Sequence, residues 1–240
     1  MQKLFVDAKP DEKVILTGEQ ARHIGKSLRM KTGDMLTVCC GDGNDYGCMI
    51  DGITSEEVVL TVCYKQANKS EPTVKVTIYQ GVPKSDKMED IIQKCTEMGV
   101  FRIVPVLTHR SVSRPDDKSA RKKQMRYQKI ALEAAQQSGR GIVPEIGKMI
   151  TLKEAVQNDN CEKKILFYEG GGESLKTLIE KNLQSISVYI GPEGGFEKEE
   201  VELIKKNGGE VATLGKRILR TQTAPVAALT AIMLLTDNME

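Results

Sequence analysis

The chain contains no tryptophan, and aromatic residues make up only 4% of its 240 positions. Extensive stacking of nucleobases on aromatic rings is therefore disfavoured, and any nucleic-acid contact should run through shape and phosphate. Six cysteines (39, 40, 48, 63, 95, 161) include no C-x-x-C pair, and both histidines, His23 and His109, stand apart from them. Structural zinc needs clustered thiolates and imidazoles, so no metal site is expected, and the thiols read as free, buried and reduced. No apolar run approaches the ~18 residues of a membrane span. The first seven residues, Met1 to Asp7, lack the long apolar core of a signal peptide. A cytoplasmic protein with no membrane partner is the expectation. Neither G-x-G-x-x-G nor the P-loop pattern occurs, which disfavours a Rossmann dinucleotide or nucleoside triphosphate site.

What is present has two rhythms. Residues 1–70 carry short apolar runs at 3–6, 13–16, 35–40, 46–53 and 58–64, separated by turn-formers such as Gly41-Asp42-Gly43-Asn44-Asp45. One helix interrupts them, opened by Thr17-Gly18-Glu19-Gln20 with capping-box spacing. A small β-barrel is predicted. The polar stretch 66–72 is the best linker, dividing the chain into domains 1–70 and 71–240. Beyond it strands alternate with helices: strands at 74–80, 102–107, 164–168, 185–190 and 210–214, helices at 87–98, 116–138, 173–182, 197–207 and 224–236. That order predicts an α/β domain with a parallel sheet, helices on both faces, and ligands at the carboxyl ends of the strands.

The formal charge of +2 conceals an uneven distribution. Residues 1–70 hold 9 basic and 10 acidic side chains, whereas 102–148 hold 11 basic against 4 acidic, a net +7. A charge run by itself more commonly marks a solvated face, but phosphate backbones are the usual anionic partner for such a helix. Two loops carry the sharper signal. Ile190-Gly191-Pro192-Glu193-Gly194-Gly195 joins a strand to a helix, and its glycines let a ligand approach backbone N–H groups closely. Leu214 to Pro225 follows the last strand, with Arg217 and Arg220 flanking Ile218-Leu219, and with Thr223 and Pro225 placed to cap the final helix.

Taken together these segments resemble the ribosomal RNA small-subunit methyltransferase E family of the knotted SPOUT superfamily. The resemblance spans essentially the whole chain. It rests on His23-Ile24 with Ser27-Leu28-Arg29, on Gly81-Val82-Pro83-Lys84, on Gln93 to Gly99, on Arg110-Ser111-Val112, on Glu133 to Ser138 with Arg140, and on the two loops. It implies an N-terminal PUA-like barrel assisting RNA binding, a C-terminal SPOUT-type domain whose parallel sheet carries a trefoil knot, and a homodimer. The knot is family knowledge; connections normally avoid threading. The implied reaction is S-adenosylmethionine-dependent methylation of a uridine N3 in small-subunit (16S) ribosomal RNA. Carried over residue by residue, the cofactor is expected against Tyr168, Glu169, Gly170, Ile190, Gly191, Pro192, Glu193, Gly194, Gly195, Leu214, Gly215, Arg217, Ile218, Leu219, Thr221 and Thr223. RNA is expected at His23, Arg29, Lys84, Lys94, Arg110, Arg121, Lys122, Gln137 and Ser138.

Methyl transfer from a sulfonium needs alignment and removal of one weakly acidic N3 proton. Arg220 or Arg140 is expected to stabilise charge on the uracil carbonyl oxygens as that proton leaves. The base is not identified; Glu193 is within reach of the loop or shapes it. The family usually has Glu where this chain has Gln222, which keeps hydrogen bonding but cannot take a proton; if that glutamate is an essential base this chain is crippled, and if the position is a structural cap, the favoured reading, activity survives. The rival readings are a non-catalytic RNA-binding assembly factor and a SPOUT enzyme acting on transfer RNA.

Overall fold

A computed structural model describes residues 2–239. The chain divides into two compact units, one running to Glu71 and including Ala135–Val143, the other formed by Pro72–Ala134 and the chain from Pro144 onward.

The first unit is a five-stranded sheet of β1 (Lys3–Phe5), β2 (Lys13–Thr17), β3 (Met35–Cys39), β4 (Asn44–Ile53) and β5 (Glu57–Ala67), in the order β1-β3-β4-β5-β2. Only β1 and β3 run parallel. Two bulges bend β4, at Gly47/Cys48 and Ile50/Gly52, and so curl the sheet around one core. Leu4, Leu16, Ile24, Leu36, Val38, Ile50, Val58 and Leu60 fill it. Alternation decides which residues these are: Leu36 and Val38 enter the core and Cys40 packs against it, whereas Cys39 lies on the other face with its Sγ 2.9 Å from Asp45 Oδ1. The predicted capping box does not form. Gly18 adopts φ 60°, Thr17 makes no side-chain cap bond, and Gln20 Nε2 donates instead to the Phe5 carbonyl at 2.7 Å. Helix α1 (Gly18–Arg22) then loosens into one π-wound turn, His23–Ser27.

Segment 135–143 belongs to this unit through buried ionic contacts. Lys3 Nζ bonds Asp45 at 2.9 Å and the Gly139 carbonyl at 2.8 Å. Arg140 pairs with Glu71 at 2.6 Å, and Glu71 also accepts from the Gly141 and Ile142 amides.

The second unit is built on β6 (Lys75–Gly81), β7 (Arg102–Leu107), β8 (Glu145–Ile146), β9 (Ile150–Thr151), β10 (Lys163–Phe167), β11 (Glu173–Ser174), β12 (Ser185–Ile190) and β13 (Gly209–Thr213). Their order is β11-β13-β10-β12-β6-β7-β8, with β9 also on β7, and every pair is parallel. Helices α2 (Lys87–Glu97), α5 (Leu175–Leu178) and α7 (Ala224–Leu235) pack together, as do α4 (Leu152–Gln157) and α6 (Lys198–Lys206). Alternating residues of the strands serve the two groups, with Tyr79, Leu166 and Tyr189 turned to α4 and α6. This is the predicted α/β layering with helices on both faces. The parallel register sets Gln80 beside Ile190, Ile190 beside Phe167 and Phe167 beside Ala212, so four strands end on one edge.

Helix α3 (Asp117–Ser138) ends where Gly139 takes φ 77°, as its composition predicts. The helix expected over 173–182 is only Leu175–Leu178. Glu173–Ser174 are drawn into pairing with β13, Ser174 caps the first turn through Lys176 N, and Ile179 is already extended. Two capping boxes not recognised in the sequence, Thr151/Glu154 and Glu197/Glu200, start α4 and α6. Among the described residues no helix is long and apolar enough to cross a membrane.

Replacing Arg140 with Ala leaves the half-buried Glu71 carboxylate without its guanidinium but with its bonds from the Gly141 and Ile142 amides. The expected loss of stability is about 2–3 kcal/mol, below the ~3–5 kcal/mol typical of breaking a fully buried pair from one side. A urea denaturation midpoint equal to that of the parent protein would show the pair to be dispensable.

Candidate active site

The carboxyl edge of the parallel sheet opens into a cavity of ≈ 460 Å³, within the range of about 300–1,000 Å³ usual for small-molecule sites. Three strand-to-helix loops wall it, 167–169 after β10, 190–196 after β12 and 213–222 after β13, with Lys87 and Ala224 completing the lining. Most of the expected cofactor residues are brought together here: Tyr168, Glu169, Ile190 to Gly195, Leu214, Gly215, Arg217, Ile218, Leu219 and Thr221. Gly170 and Thr223 are not in the lining. A side chain at Gly170 would collide with the Tyr168 ring, so its glycine is required by the turn. Thr223 is exposed and helical in backbone, and it makes no side-chain cap bond to α7; a turn closed by Thr223 N and Ala224 N onto the Arg220 carbonyl starts that helix instead. Phe167, Phe196, Thr213 and Ala224 line the cavity without having been expected there, and Lys216 and Gln222 lie within the expected 214–223 stretch. Lys87, which accompanies Gly81-Val82-Pro83-Lys84 in the family resemblance but was given no role by it, reaches the site from a helix 106 residues away in sequence.

The glycine loop is held rigid by charge. Gly195 takes φ 69° and donates to the Pro192 carbonyl at 2.9 Å, closing the turn. Glu193 accepts from Lys84 N at 3.1 Å and Lys87 Nζ at 2.5 Å. Burial pushes its carboxyl up, but the Lys87 hydrogen bond, the backbone N–H bonds and the Lys87 charge together outweigh burial, and the net shift is downward. A carboxylate held this way is a poor proton acceptor, so Glu193 shapes the loop. Arg110 bonds the Gly194 carbonyl and grips Glu197 at 2.8 and 3.0 Å, and this pairing lowers the Glu197 carboxyl. The acidic stretch 193–200 is thus largely spent inside its own loop and helix cap.

Two expectations are corrected by these contacts. Arg140, expected to stabilise charge on the substrate, is buried, paired with Glu71, and absent from the cavity lining. Arg110, expected on RNA, is committed to Glu197 and Gly194. Arg220 is exposed, lines the cavity, and among the described residues has no side-chain partner. Gln222 is not a cap: its Oε1 is buried with no hydrogen-bond partner, and it lies in the cavity wall.

The remaining expected RNA residues fall into three groups. His23 and Arg29 are exposed on the first unit, as is Gln137, while Ser138 is half-buried with its hydroxyl near the Ala135 carbonyl at 3.5 Å. Lys84 is exposed beside the glycine loop, and Lys94 makes an exposed i,i+4 pair with Asp90 that holds it weakly. Arg121 and Lys122 project from α3 next to Lys118 and the exposed Met125. The +7 of segment 102–148 is therefore sorted by the fold. Arg140 is committed to Glu71, Arg110 pairs with Glu197, and Arg102 and Arg126 make exposed pairs with Glu145 and Glu89 that hold them weakly. Among the described residues Lys118, Arg121 and Lys122 have no such partner, and they share one face of α3 at i, i+3 and i+4 spacing.

The cysteines are free. Burial pushes the Cys39 and Cys161 thiols up to about 12 and Cys48 to about 11, so they stay protonated and unreactive. Cys63 departs from the expectation of buried thiols; it is exposed. Among the described residues no cluster of His, Cys, Asp and Glu could hold a metal ion.

A model of the RNA methyltransferase domain matches residues 69–233, and one of the RNA methyltransferase PUA domain matches 16–63. The ribosomal RNA small subunit methyltransferase E of Bacillus subtilis is 37% identical over 230 residues, covering 92% of this chain and 90% of the relative. The chain belongs to the ribosomal RNA small subunit methyltransferase E family. The crystal structure of the family's Neisseria gonorrhoeae member, bound to S-adenosylmethionine, superposes with a TM-score of 0.91 at 28% identity and covers 98% of both chains. A Legionella pneumophila structure in complex with the same cofactor gives 0.90 at 27% identity, covering 97% of this chain and 96% of that one. The first unit is thereby the PUA-like half-barrel of the family and the second its methyltransferase domain.

Because the Glu193 carboxyl is depressed, its contribution is complete above the ordinary glutamate pKa and is lost as pH falls through the lower, folded value. The amide resonance of Lys84 should report this, with a midpoint below the ~4.3 of an unperturbed glutamate. Lys87→Ala should move that midpoint upward; an unmoved midpoint would mean the ammonium does not hold the loop.

Proposed function

We propose that this protein transfers the methyl group of S-adenosylmethionine to N3 of a uridine in small-subunit (16S) ribosomal RNA, acting as a homodimer with a trefoil-knotted catalytic domain. The single observation that supports this most directly is the cavity itself, in which the three loops expected from the sequence converge on one edge of a parallel sheet in a member of this family.

The lining fits the cofactor. Phe167, Ile190, Phe196, Leu214 and Leu219 offer apolar walls for an adenine ring, and the glycine loop exposes backbone amides and carbonyls at close range. At Gly195 a side chain would collide with the Glu169 carboxylate, so the acid lies directly against the loop. Glu169 is exposed and lines the cavity, where its negative charge suits a cationic sulfonium or ammonium. The cofactor supplies an electrophilic methyl group on sulfur.

What the chain's own residues contribute is alignment and charge. The clasp of Glu193 by Lys84 N and Lys87 fixes the loop before any ligand arrives. The Arg220 guanidinium, exposed at the cavity, stabilises negative charge on the uracil carbonyl oxygens as N3 gives its proton to solvent water and takes the methyl group. Gln222 cannot take that proton, and Glu193 is already committed. The face of Lys118, Arg121 and Lys122 holds RNA through its phosphates. His23 and Arg29 make the first unit an accessory RNA-binding module, residues 1–70 with the returning 135–143 segment, and residues 71–240 otherwise carry the chemistry.

Labelled methyl transfer onto small ribosomal subunits, naked ribosomal RNA and transfer RNA, followed by nucleoside analysis, tests this. N3-methyluridine in the small-subunit sample is the expected product; label confined to transfer RNA, or no saturable cofactor binding, would support the rival functions. Arg220→Ala should lower turnover about 100-fold, the usual effect of removing one charge-stabilising donor. Cofactor affinity should stay within about threefold, and equal losses in both would count against the assigned role. Replacing Lys118, Arg121 and Lys122 together with Glu should weaken RNA binding more than tenfold and flatten its log–log salt dependence by about 2–3, close to 0.7–0.9 per phosphate contact. Binding of S-adenosylmethionine serves as the control and should not change.

A further inference from the structure

Three chain segments meet at the end of β6. Gln80 is fully buried there, and its Nε2 lies 3.1 Å from Thr221 Oγ1, 3.0 Å from the Gly81 carbonyl and 3.4 Å from the Gly191 carbonyl. Thr221 Oγ1 in turn donates to the Gly191 carbonyl at 2.9 Å. The sense of the amide follows from its surroundings. Two of the three neighbours are carbonyl oxygens that can only accept, so nitrogen must face them. The bonds then run in one direction, from amide N–H to hydroxyl to carbonyl, and each polarises the next.

The geometry places this relay between two of the three loops that wall the cavity. Gly191 opens the glycine loop after β12, and Thr221 lies in the loop after β13; both line the cavity, whereas Gln80 does not. The close approach is enforced next door. A Cβ at Gly81 would stand 2.5 Å from Pro192 Cδ and 2.6 Å from Pro192 N, so β6 and the glycine loop are in contact backbone to ring. Gln80 also leaves its own Oε1 buried without a partner. A Met or Leu side chain would fill comparable space with no stranded acceptor, so packing alone gives no reason for an amide here. What the amide does that an apolar side chain cannot is bond the hydroxyl of one loop and the carbonyl of the other.

We infer that Gln80 is a positioning residue that couples the two ligand loops, so that 191–195 and 215–223 adopt their cofactor-binding form as one unit. It touches neither cofactor nor RNA in this role. The inference rests on the proposed methyltransferase function for the identity of the ligand, but the coupling itself is a property of the free protein.

Calorimetric binding of S-adenosylmethionine and amide hydrogen exchange of the ligand-free protein test it together. Gln80→Met and Thr221→Val should each weaken cofactor binding about tenfold, the effect of losing one or two buried hydrogen bonds. The double variant should lose about the same factor rather than the product of the two, because the relay fails as a unit. Thr221→Ser, which keeps the hydroxyl, should bind within about twofold of the parent. In Gln80→Met, amides of both loops should exchange faster. The inference is overturned if Gln80→Met melts earlier yet binds with parental affinity, if only one loop exchanges faster, or if the two losses multiply. Should Gln80→Met not fold, amide exchange of the ligand-free Thr221 variants decides: the 191–195 amides should exchange faster in Thr221→Val and at the parental rate in Thr221→Ser, and no difference between the two overturns the coupling. Should the parent protein bind no S-adenosylmethionine, the methyltransferase reading fails, and the exchange of the two loops still confirms or refutes the coupling.

Discussion

The carboxyl end of β6 is the constraint around which the catalytic domain is arranged. Gly81 has no space for a side chain because Pro192 packs against its backbone, and Gln80 beside it bonds to both neighbouring loops. Strand β6 sits between β12 and β7 in the parallel sheet, so its end adjoins the edge where the loops after β10, β12 and β13 wall the cavity. Loops that begin 110 residues or more further along the chain are gathered onto this point. A backbone approach this close is available only to glycine, and a single buried amide can bridge two loops because its two N–H groups diverge.

Charge has a second organising role, and it works by consumption. Of the arginines in the basic segment that meet a glutamate in the fold, Arg140 is withdrawn from the surface, while Arg102, Arg110 and Arg126 keep exposed guanidinium groups. Arg110 fixes the glycine loop through Glu197, Arg126 ties α3 to α2 through Glu89, and Arg140 anchors the returning segment to Glu71. The same economy applies to the acids: Glu193 and Glu197 are held ionised by cations and by backbone N–H groups, which suits them to shaping a loop and unsuits them to proton abstraction. Lys118, Arg121 and Lys122 stand on one helical face, and Arg220 stands at the cavity.

Much of the fold was legible because it is written in local chemistry. The strands from Lys75–Gly81 to Gly209–Thr213 alternate or run apolar, and the long helix ends at a glycine with positive φ. The glycine loop was legible for the same reason, since a Gly-Pro-Glu-Gly-Gly turn after an apolar strand has few other uses. Failures came where a residue's partner lies far along the chain. Thr17 and Gln20 have capping-box spacing, yet Gln20 finds the Phe5 carbonyl instead. Arg140 looked free in a Gln-Ser-x-Arg segment, and only the fold brings Glu71 within 2.6 Å of it. Gln80 read simply as the last residue of a strand, because nothing adjacent reveals that Thr221 and Gly191 will meet it.

Sequence by itself determined a β-rich first part followed by a parallel α/β part, the two glycine- and arginine-bearing loops that wall the cavity, and the excess of positive charge in 102–148, but not the return of 135–143 to the first unit. These depend on periodicity, turn chemistry and composition, which act over a few residues at a time. Tertiary structure alone decided which cations remain free, that Arg220 rather than Arg140 stands at the cavity, that Glu193 is a clasp, and that Gln80 binds two loops into one. Those outcomes are set by distances of 2.5 to 3.5 Å between groups separated by up to 141 positions, and ionic and hydrogen-bond energies at that range depend on burial and on the partner actually present, neither of which a local pattern contains.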